Sequence, residues 1–369
     1  MDKIIITYRY TGLTTADQMA RYIAHEQTVE IPEETVPGHI RRGVVGEVAG
    51  ILKIGMSNLI SIAYRPWLSA FQIPQFLNLV YGNVSIQPGV QVADIKLPDE
   101  FLKHFKGPNF GISGLRKLIG ASKRPILATA VKPNGETNAH FARICRDFAL
   151  GGGDIVKDDQ NLSDKNFAAF KERVSRCQDA VEEANAKVGG RTLFCPIVTA
   201  PYAEFDERLR LLKRLGIKGA LVCPALVGFD AMRHAAEKYG LVVLAHPALT
   251  GAFLQPGHGI EARLLLGKLM RLLGADASIF PNYGGRFSFS REECLAIADE
   301  LRHKWGKLKP ALPMPAGGMR FENIGAMRRD YGEDAIFLIG GALLSRPEGV
   351  EKATRAFLAE LSRPTERYS

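Results

Sequence analysis

The sequence predicts an α/β protein in which a (β/α)8 TIM barrel follows a smaller α+β domain. From about residue 124 onward, short apolar segments alternate with amphipathic segments at a steady spacing, as in repeated βα units that build a parallel sheet. Eight of the apolar segments have the pattern of strands, and the region of about 245 residues has the usual size of such a barrel. An open, doubly wound parallel sheet is the alternative fold.

The strand and helix signals of the barrel region alternate along the chain. The eight predicted strands are residues 124–132, 154–159, 193–200, 219–226, 241–249, 277–283, 309–317 and 335–343. Between them, apolar residues recur at intervals of three and four, which predicts helices that include 205–215, 260–273 and 291–305.

The region before the barrel has a different pattern. Segments 4–10 and 59–64 have strand patterns, segments 15–25 and 67–81 have helical patterns, and segment 84–97 mixes strand and turn signals. These elements predict an α+β domain of the ferredoxin-like type.

The boundary between the two domains is predicted near residue 118. Within residues 107–120, Gly-Pro and a run of small residues interrupt the periodicity. We therefore assign residues 1–118 to the N-terminal domain and residues 119–369 to the barrel.

The composition predicts a soluble, cytoplasmic, globular protein. The chain has 369 residues, is 46% hydrophobic and carries a formal charge of +9 without a long basic run, so an anionic metabolite is a better predicted partner than nucleic acid. No apolar run approaches the roughly 18 residues of a membrane span, and the first residues do not resemble a signal peptide. The five cysteines contain no Cys-x-x-Cys pair and are expected to be reduced.

Residues 151–160, Gly-Gly-Gly-Asp-Ile-Val-Lys-Asp-Asp-Gln, bring a lysine and two carboxylates to the end of a predicted strand. Side chains alternate along a strand, so Lys157 and Asp159 share a face. One carboxylate is a weak site for Mg²⁺, but a neutral Lys157 amine that captures CO₂ as a carbamate would add oxygen ligands. The alternative is an ordinary Lys-Asp ion pair.

Other predicted strand ends carry residues that a barrel brings to the same mouth. Lys132 precedes a proline and is a candidate base or electrostatic clamp, while His246 follows the fifth strand. The glycine pairs Gly317–Gly318 and Gly340–Gly341 follow strands seven and eight, where backbone N–H groups commonly bind phosphate. The alternatives are a solvated lysine, a structural histidine and turns that require a positive φ.

Taken together, these segments resemble the rubisco large subunit, and in particular its non-carboxylating relatives, the rubisco-like proteins of form IV. The resemblance covers nearly the whole chain. The matching segments are His25-Glu26-Gln27-Thr28, Tyr81-Gly82-Asn83-Val84, Phe105-Lys106-Gly107-Pro108, Ala130-Val131-Lys132-Pro133, Gly152 to Asp159, His246, Gly317-Gly318 and Gly340-Gly341.

The resemblance implies a Mg²⁺-dependent enzyme that acts on a sugar phosphate. It implies that Lys157 is carbamylated and that the carbamate and Asp159 bind Mg²⁺, which would polarise a ketone oxygen while a nearby base moves a proton. It also implies a homodimer in which Glu26 and Asn83 of one subunit complete the active site of the other.

Several departures from rubisco bear on the reaction. Gln160 stands where the third metal carboxylate would be, which leaves a ligating amide oxygen but removes one negative charge. Residues 281–291 contain no lysine like that of the carboxylase, so CO₂ fixation is not predicted. Pro247, the apolar segment near Phe280, and Ala316 replace residues that grip the second phosphate. The predicted substrate therefore carries one phosphate and an uncharged far end.

A methylthio pentulose phosphate meets both demands. The best match among rubisco-like activities is 5-methylthioribulose-1-phosphate isomerase in methionine or sulfur salvage, because the corresponding enolase has a lysine base where this chain has Asn83. Three alternatives stay open. They are 2,3-diketo-5-methylthiopentyl-1-phosphate enolase, a transcarboxylase or decarboxylase of a 3-oxo sugar-acid phosphate, and a non-catalytic sugar-phosphate-binding protein.

Overall fold

The computed structural model describes residues 2–121 and 123–363, which form two compact units. The first unit comprises the chain up to Lys106 together with Leu249–Leu265 and Gly306–Leu308. The second comprises Gly107–Ala248, Leu266–Trp305 and the chain from Lys309 onward. No helix in the described part of the chain is long and apolar enough to cross a membrane.

The strands and helices of the described residues follow in chain order. The strands are β1 (Ile4–Tyr10), β2 (Glu47–Ile54), β3 (Ser57–Tyr64), β4 (Val90–Lys96), β5 (Ile126–Val131), β6 (Ile155–Asp158), β7 (Leu193–Cys195), β8 (Gly219–Val222), β9 (Val242–Ala245), β10 (Gly259–Ile260), β11 (Ala277–Pro281), β12 (Leu312–Ala316) and β13 (Ile336–Leu338). The α-helices are α1 (Ala16–Glu26), α2 (Gly38–Gly43), α3 (Ile73–Tyr81), α4 (Asp99–Leu102), α5 (Gly111–Ile119), α6 (Asn138–Leu150), α7 (Phe167–Val188), α8 (Tyr202–Arg214), α9 (Pro224–Val227), α10 (Phe229–Tyr239), α11 (Met270–Leu272), α12 (Arg291–Arg302), α13 (Ile324–Tyr331), α14 (Gly341–Leu344) and α15 (Val350–Ser362).

The first unit is built on a ferredoxin-like sheet. Strands β4, β1, β3 and β2 pair antiparallel in that order, and the short strand β10 adds to β4 in parallel. Alternate β1 residues such as Ile6 and Tyr8 are buried, as expected for a sheet with one face against the core. Thr15 and Gln18 form a capping box at the start of α1. The predicted α+β architecture is confirmed.

The second unit is a closed (β/α)8 barrel. Its strands are all parallel in the order β7-β6-β5-β13-β12-β11-β9-β8. A parallel bridge between Ile197 and Leu221 joins the two ends of this order, with Leu221 N–H donating to the Pro196 carbonyl oxygen at 2.9 Å. This bridge rules out the open-sheet alternative.

Several predicted elements are wrong in extent, and predicted strands 193–200 and 241–249 end early, at Cys195 and Ala245. Predicted strand 219–226 ends at Val222, because Pro224 begins a short helix, a position that suits proline. Predicted strand 335–343 ends at Leu338, and a helix begins at Gly341. Predicted helix 260–273 begins later, with a π-helical segment at Arg263–Leu269, because Ile260 instead pairs with Val92 of β4 as part of β10.

A buried carboxylate at the start of β11 ties neighbouring chain segments to the barrel. Asp276 accepts hydrogen bonds from the N–H groups of Phe110 and Gly111, both at 2.7 Å, and of Val243 at 3.2 Å. Burial raises the pKa of Asp276 to about 6, although these hydrogen bonds oppose the change.

Candidate active site

Lys157 lies on β6 inside a nearly water-free environment. Its side chain is 2% exposed, and its Nζ donates to the carbonyl oxygen of Asp158 at 2.9 Å. Burial lowers the pKa of Lys157 to about 8, with the charge of Lys132 adding to the effect and Asp159 opposing it. A far larger fraction of this amine is therefore neutral near pH 8 than for an exposed lysine.

Asp159 follows β6 directly and pairs with Lys132 from the end of β5. Its Oδ1 accepts a hydrogen bond from the Asn161 N–H at 3.0 Å. Burial acts to raise the pKa of Asp159, but the hydrogen bonds from Lys132 and Asn161 outweigh it, so this pKa is lowered. Asp159 is thus a carboxylate at neutral pH, and its ion-pair partner is Lys132.

His246 follows β9 and belongs to the same electrostatic cluster. Its Nδ1 faces the Ala248 N–H at 3.1 Å, so Nδ1 is the acceptor and a neutral ring carries its proton on Nε2. Burial, followed by the charge of Lys157, lowers the pKa of His246 to about 3. The ring is therefore neutral and offers an N–H donor near pH 7.

The two glycine pairs differ in what their backbone requires. Gly317 and Gly318 have φ values of 83° and 72°, which favour glycine. A Cβ on Gly318 would lie 2.7 Å from the Gly285 Cα, so the loop after β11 also needs this glycine. Gly340 and Gly341 have no positive φ, and a Cβ on Gly340 would lie 3.7 Å from the Lys132 Cε. A turn that requires a positive φ therefore explains Gly317–Gly318 but not Gly340–Gly341.

The barrel thus brings a subset of the predicted residues together. Lys132, Lys157, Asp159 and His246 interact electrostatically, and Gln160 follows Asp159 at a partly exposed position. In the first unit, the Asn83 Nδ2 donates to the Glu26 Oε1 at 3.0 Å on the surface. The resemblance to rubisco assigns Glu26 and Asn83 to the same active site, and in the structure they lie side by side.

Sequence reasoning missed a buried arginine behind the strand. Arg173 lies on α7, and its Nη1 donates to the Asp158 Oδ2 at 2.7 Å. It occupies the buried face of the helix with Phe170, Val174 and Cys177. An arginine at a core position of an amphipathic helix is the signal that could have revealed it, because such a charge needs a buried partner.

The side chains of Lys157, Asp159 and Gln160 suit Mg²⁺ if Lys157 is present as a carbamate. In the described part of the chain, no three His, Cys, Asp or Glu side chains are placed to hold a metal ion. As an ammonium ion, Lys157 places a positive charge beside Asp159, which opposes metal binding. As a carbamate it would supply anionic oxygens next to the Asp159 carboxylate and the Gln160 amide, which are ligands suited to Mg²⁺.

Comparisons with known proteins agree with this fold and strand pattern. Residues 111–285 match the family model of the ribulose bisphosphate carboxylase large chain, catalytic domain. The chain is 40% identical to ribulose bisphosphate carboxylase-like protein 1 of Rhodopseudomonas palustris, with 98% of each chain covered. A crystal structure of a rubisco-like protein from that organism covers 98% of both chains at 37% identity, with a TM-score of 0.88.

Two similar proteins have names that state an activity. The chain is 36% identical to 5-methylthioribulose-1-phosphate isomerase of Rhodospirillum rubrum, over 98% of this chain and 96% of that protein. It is 33% identical to 2,3-diketo-5-methylthiopentyl-1-phosphate enolase of Bacillus velezensis, over 97% and 92%. The fold and the site define a barrel protein of the rubisco large-chain type. Within that class, the chain belongs to the rubisco-like proteins.

Proposed function

We propose that this protein isomerises a ketose that carries a single phosphate, and that its substrate is 5-methylthioribulose 1-phosphate. The observation that carries the proposal is the electrostatic cluster of Lys132, Lys157, Asp159 and His246 at or near the carboxyl ends of strands β5, β6 and β9. Similarity to the Rhodospirillum rubrum isomerase along 98% of this chain supports the choice of substrate. The products would be 1-thio pentulose phosphates.

The cofactor in this proposal is Mg²⁺, held by the Lys157 carbamate, Asp159 and Gln160. Bound there, the ion would act as a Lewis acid toward a substrate oxygen. Lys132 is the preferred acid or base, because its amine lies beside Asp159 and can exchange a proton at a carbon next to the carbonyl group. Neutral His246 would donate a hydrogen bond to a substrate oxygen through Nε2–H.

The glycine pairs would bind the phosphate group through backbone N–H groups. Gly340 adjoins Lys132, so a phosphate there would lie near the acid or base candidate. Gly317 and Gly318 would provide the second set of N–H groups after β12. We also propose a homodimer in which Glu26 and Asn83 act at the partner's barrel, since both are polar, Asn83 is exposed and Glu26 is partly exposed.

The direct test is proton exchange on the named substrate. The purified protein, pre-incubated with bicarbonate and Mg²⁺, should convert 5-methylthioribulose 1-phosphate in deuterated buffer and incorporate deuterium into the sugar. Lys157→Ala should abolish both, whereas Lys165→Ala, at an exposed lysine of the following loop, should leave them unchanged. If the wild-type protein gives neither deuterium incorporation nor new sugar, the proposal is wrong.

The enolase reaction is the second candidate, favoured by similarity to the Bacillus velezensis enzyme. It would form an enol from 2,3-diketo-5-methylthiopentyl 1-phosphate, which is followed by ultraviolet absorbance. Asn83 stands against it, because an amide cannot accept the proton that a lysine base would take. Faster turnover of the diketone than of the pentulose phosphate would establish the enolase in place of the isomerase.

A further inference from the structure

Arg173 holds two acidic side chains inside the barrel wall. Its Nη1 donates to the Asp158 Oδ2 at 2.7 Å, while Nε and Nη2 donate to the two carboxylate oxygens of Asp164, both at 2.9 Å. The arginine side chain is 3% exposed, and the two carboxylates are 0% and 7% exposed. One buried guanidinium therefore contacts both ends of the segment 158–164.

This segment carries the predicted metal ligands that follow β6. Asp159 and Gln160 lie within it, and Lys157 precedes it. The Asp158 carboxylate is also fixed by the Ile197 N–H, which donates to the same Oδ2 at 2.8 Å. The carbonyl oxygen of Asp158 accepts the hydrogen bond from Lys157 Nζ. Asp158 thus accepts the hydrogen bond from Lys157 through its backbone, while its carboxylate is held by Arg173 and Ile197 on the opposite side of the strand.

We propose that Arg173 is a positioning residue, which holds segment 158–164 so that Lys157, Asp159 and Gln160 keep the arrangement needed to ligate Mg²⁺. The inference rests on the metal chemistry of the proposed function. A buried ion pair is often no more stabilising than apolar residues of the same volume. What a planar guanidinium adds is direction, because its fork fixes two carboxylates at defined angles.

Two variants test this inference without exposing the core. Arg173→Ala would leave two carboxylates buried together and could unfold the protein. Asp164→Asn instead keeps the shape of the loop end but removes its charge, and Arg173→Lys keeps the positive charge but loses the fork. The matched control is Arg208→Lys. Arg208 is also largely buried and stacks on the same Phe170 ring, at 4.3 Å compared with 5.8 Å for Arg173, yet it pairs with Glu204.

The first readout is amide hydrogen exchange of residues 159–163, measured without metal or substrate. The second is the Mg²⁺ concentration that gives half of the carbamate signal, measured by ¹³C NMR with labelled bicarbonate. We expect Asp164→Asn and Arg173→Lys to speed the exchange and to raise the Mg²⁺ requirement, each by about tenfold, as for loss of a charged hydrogen bond. Arg208→Lys should change neither, even where it lowers the melting temperature equally.

The inference is wrong if both variants match Arg208→Lys in the two measurements. Failure of the proposed function has a different signature. Wild-type protein without any carbamate signal would refute the proposed metal chemistry and the ligand-holding role with it. Wild-type protein that forms the carbamate but does not isomerise the pentulose phosphate would refute the substrate and leave the role of Arg173 intact.

Discussion

At the scale of single residues, the environment of Lys157 favours the chemistry that the proposed cofactor requires. Burial lowers the pKa of this amine to about 8 from an ordinary value of 10.5. CO₂ reacts with the neutral amine and not with the ammonium ion. The barrel interior therefore favours the neutral form of Lys157, which the proposed carbamylation requires.

Carbamylation of Lys157 should depend on pH in a defined way. A lowered pKa means that the neutral amine becomes the major form above about pH 8, so the rate of carbamate formation at constant dissolved CO₂ should rise from pH 6 to 8 and then level off. Time-resolved ¹³C NMR would measure the rate, with Lys157→Ala to identify the signal. A rate that keeps rising to pH 10 would show an amine with an ordinary pKa.

Part of this site could be predicted from the sequence, for a physical reason. Strand ends of a barrel meet at one mouth, so Lys132, Lys157 and His246 could be grouped from their positions in the chain. The partner of Asp159 could not be found in this way. Alternation along β6 suggested Lys157, but the ion pair forms across strands with Lys132. Likewise, the link from Arg173 to Asp158 depends on how α7 packs against β6, which periodicity does not define.

At the scale of elements, buried carboxylates join chain segments that no strand pairing connects. Asp276 links β11 to the start of α5 through the Phe110 and Gly111 N–H groups, and its bond from the Val243 N–H adds to the existing pairing of β11 with β9. Strand patterns predicted β11 well, because four consecutive buried residues begin it. They gave no indication of the Asp276 contacts, which depend on the three-dimensional path of residues 110–111.

Asp276→Asn should destabilise the protein and change its pH dependence. The amide oxygen keeps the bonds from Phe110 and Gly111, but its NH₂ group would face the Val243 N–H, at a cost of about 1–3 kcal/mol. In the wild-type protein the pKa of Asp276 is raised from 3.8 to about 6, so the favourable contribution of the neutral acid is complete below pH 4 and is lost as the pH rises through 6. The stability of Asp276→Asn should not fall in this way as the pH rises through 6.

Thermal unfolding between pH 4 and 8 measures both effects. The control is Asp179→Asn, which changes an exposed carboxylate on α7. We expect the difference in melting temperature between the wild-type protein and Asp276→Asn to be larger at pH 5 than at pH 7. A constant difference over this range would show that Asp276 titrates at the same pH in the folded and unfolded states.

At the scale of the whole molecule, the chain divides its predicted functional residues between two compact units. Lys132, Lys157 and His246 belong to the barrel unit, whereas Glu26 and Asn83 belong to the first unit. The resemblance to rubisco assigned all five to one site, formed by two subunits. A sequence can suggest this arrangement only by such a resemblance, because periodicity and strand ends describe a single chain.

Mixing two inactive variants tests whether subunits share sites. We expect Lys157→Ala and Glu26→Gln to be inactive alone, because one would lack the proposed carbamylated lysine and the other the carboxylate that we propose acts at the partner's barrel. In a mixed dimer, one site would contain both changes and the other neither, so random reassembly should restore roughly a quarter of wild-type activity by symmetry. Lys157→Ala mixed with His246→Ala is the control, since each barrel would stay defective. Equal inactivity of both mixtures would place each complete site within one subunit.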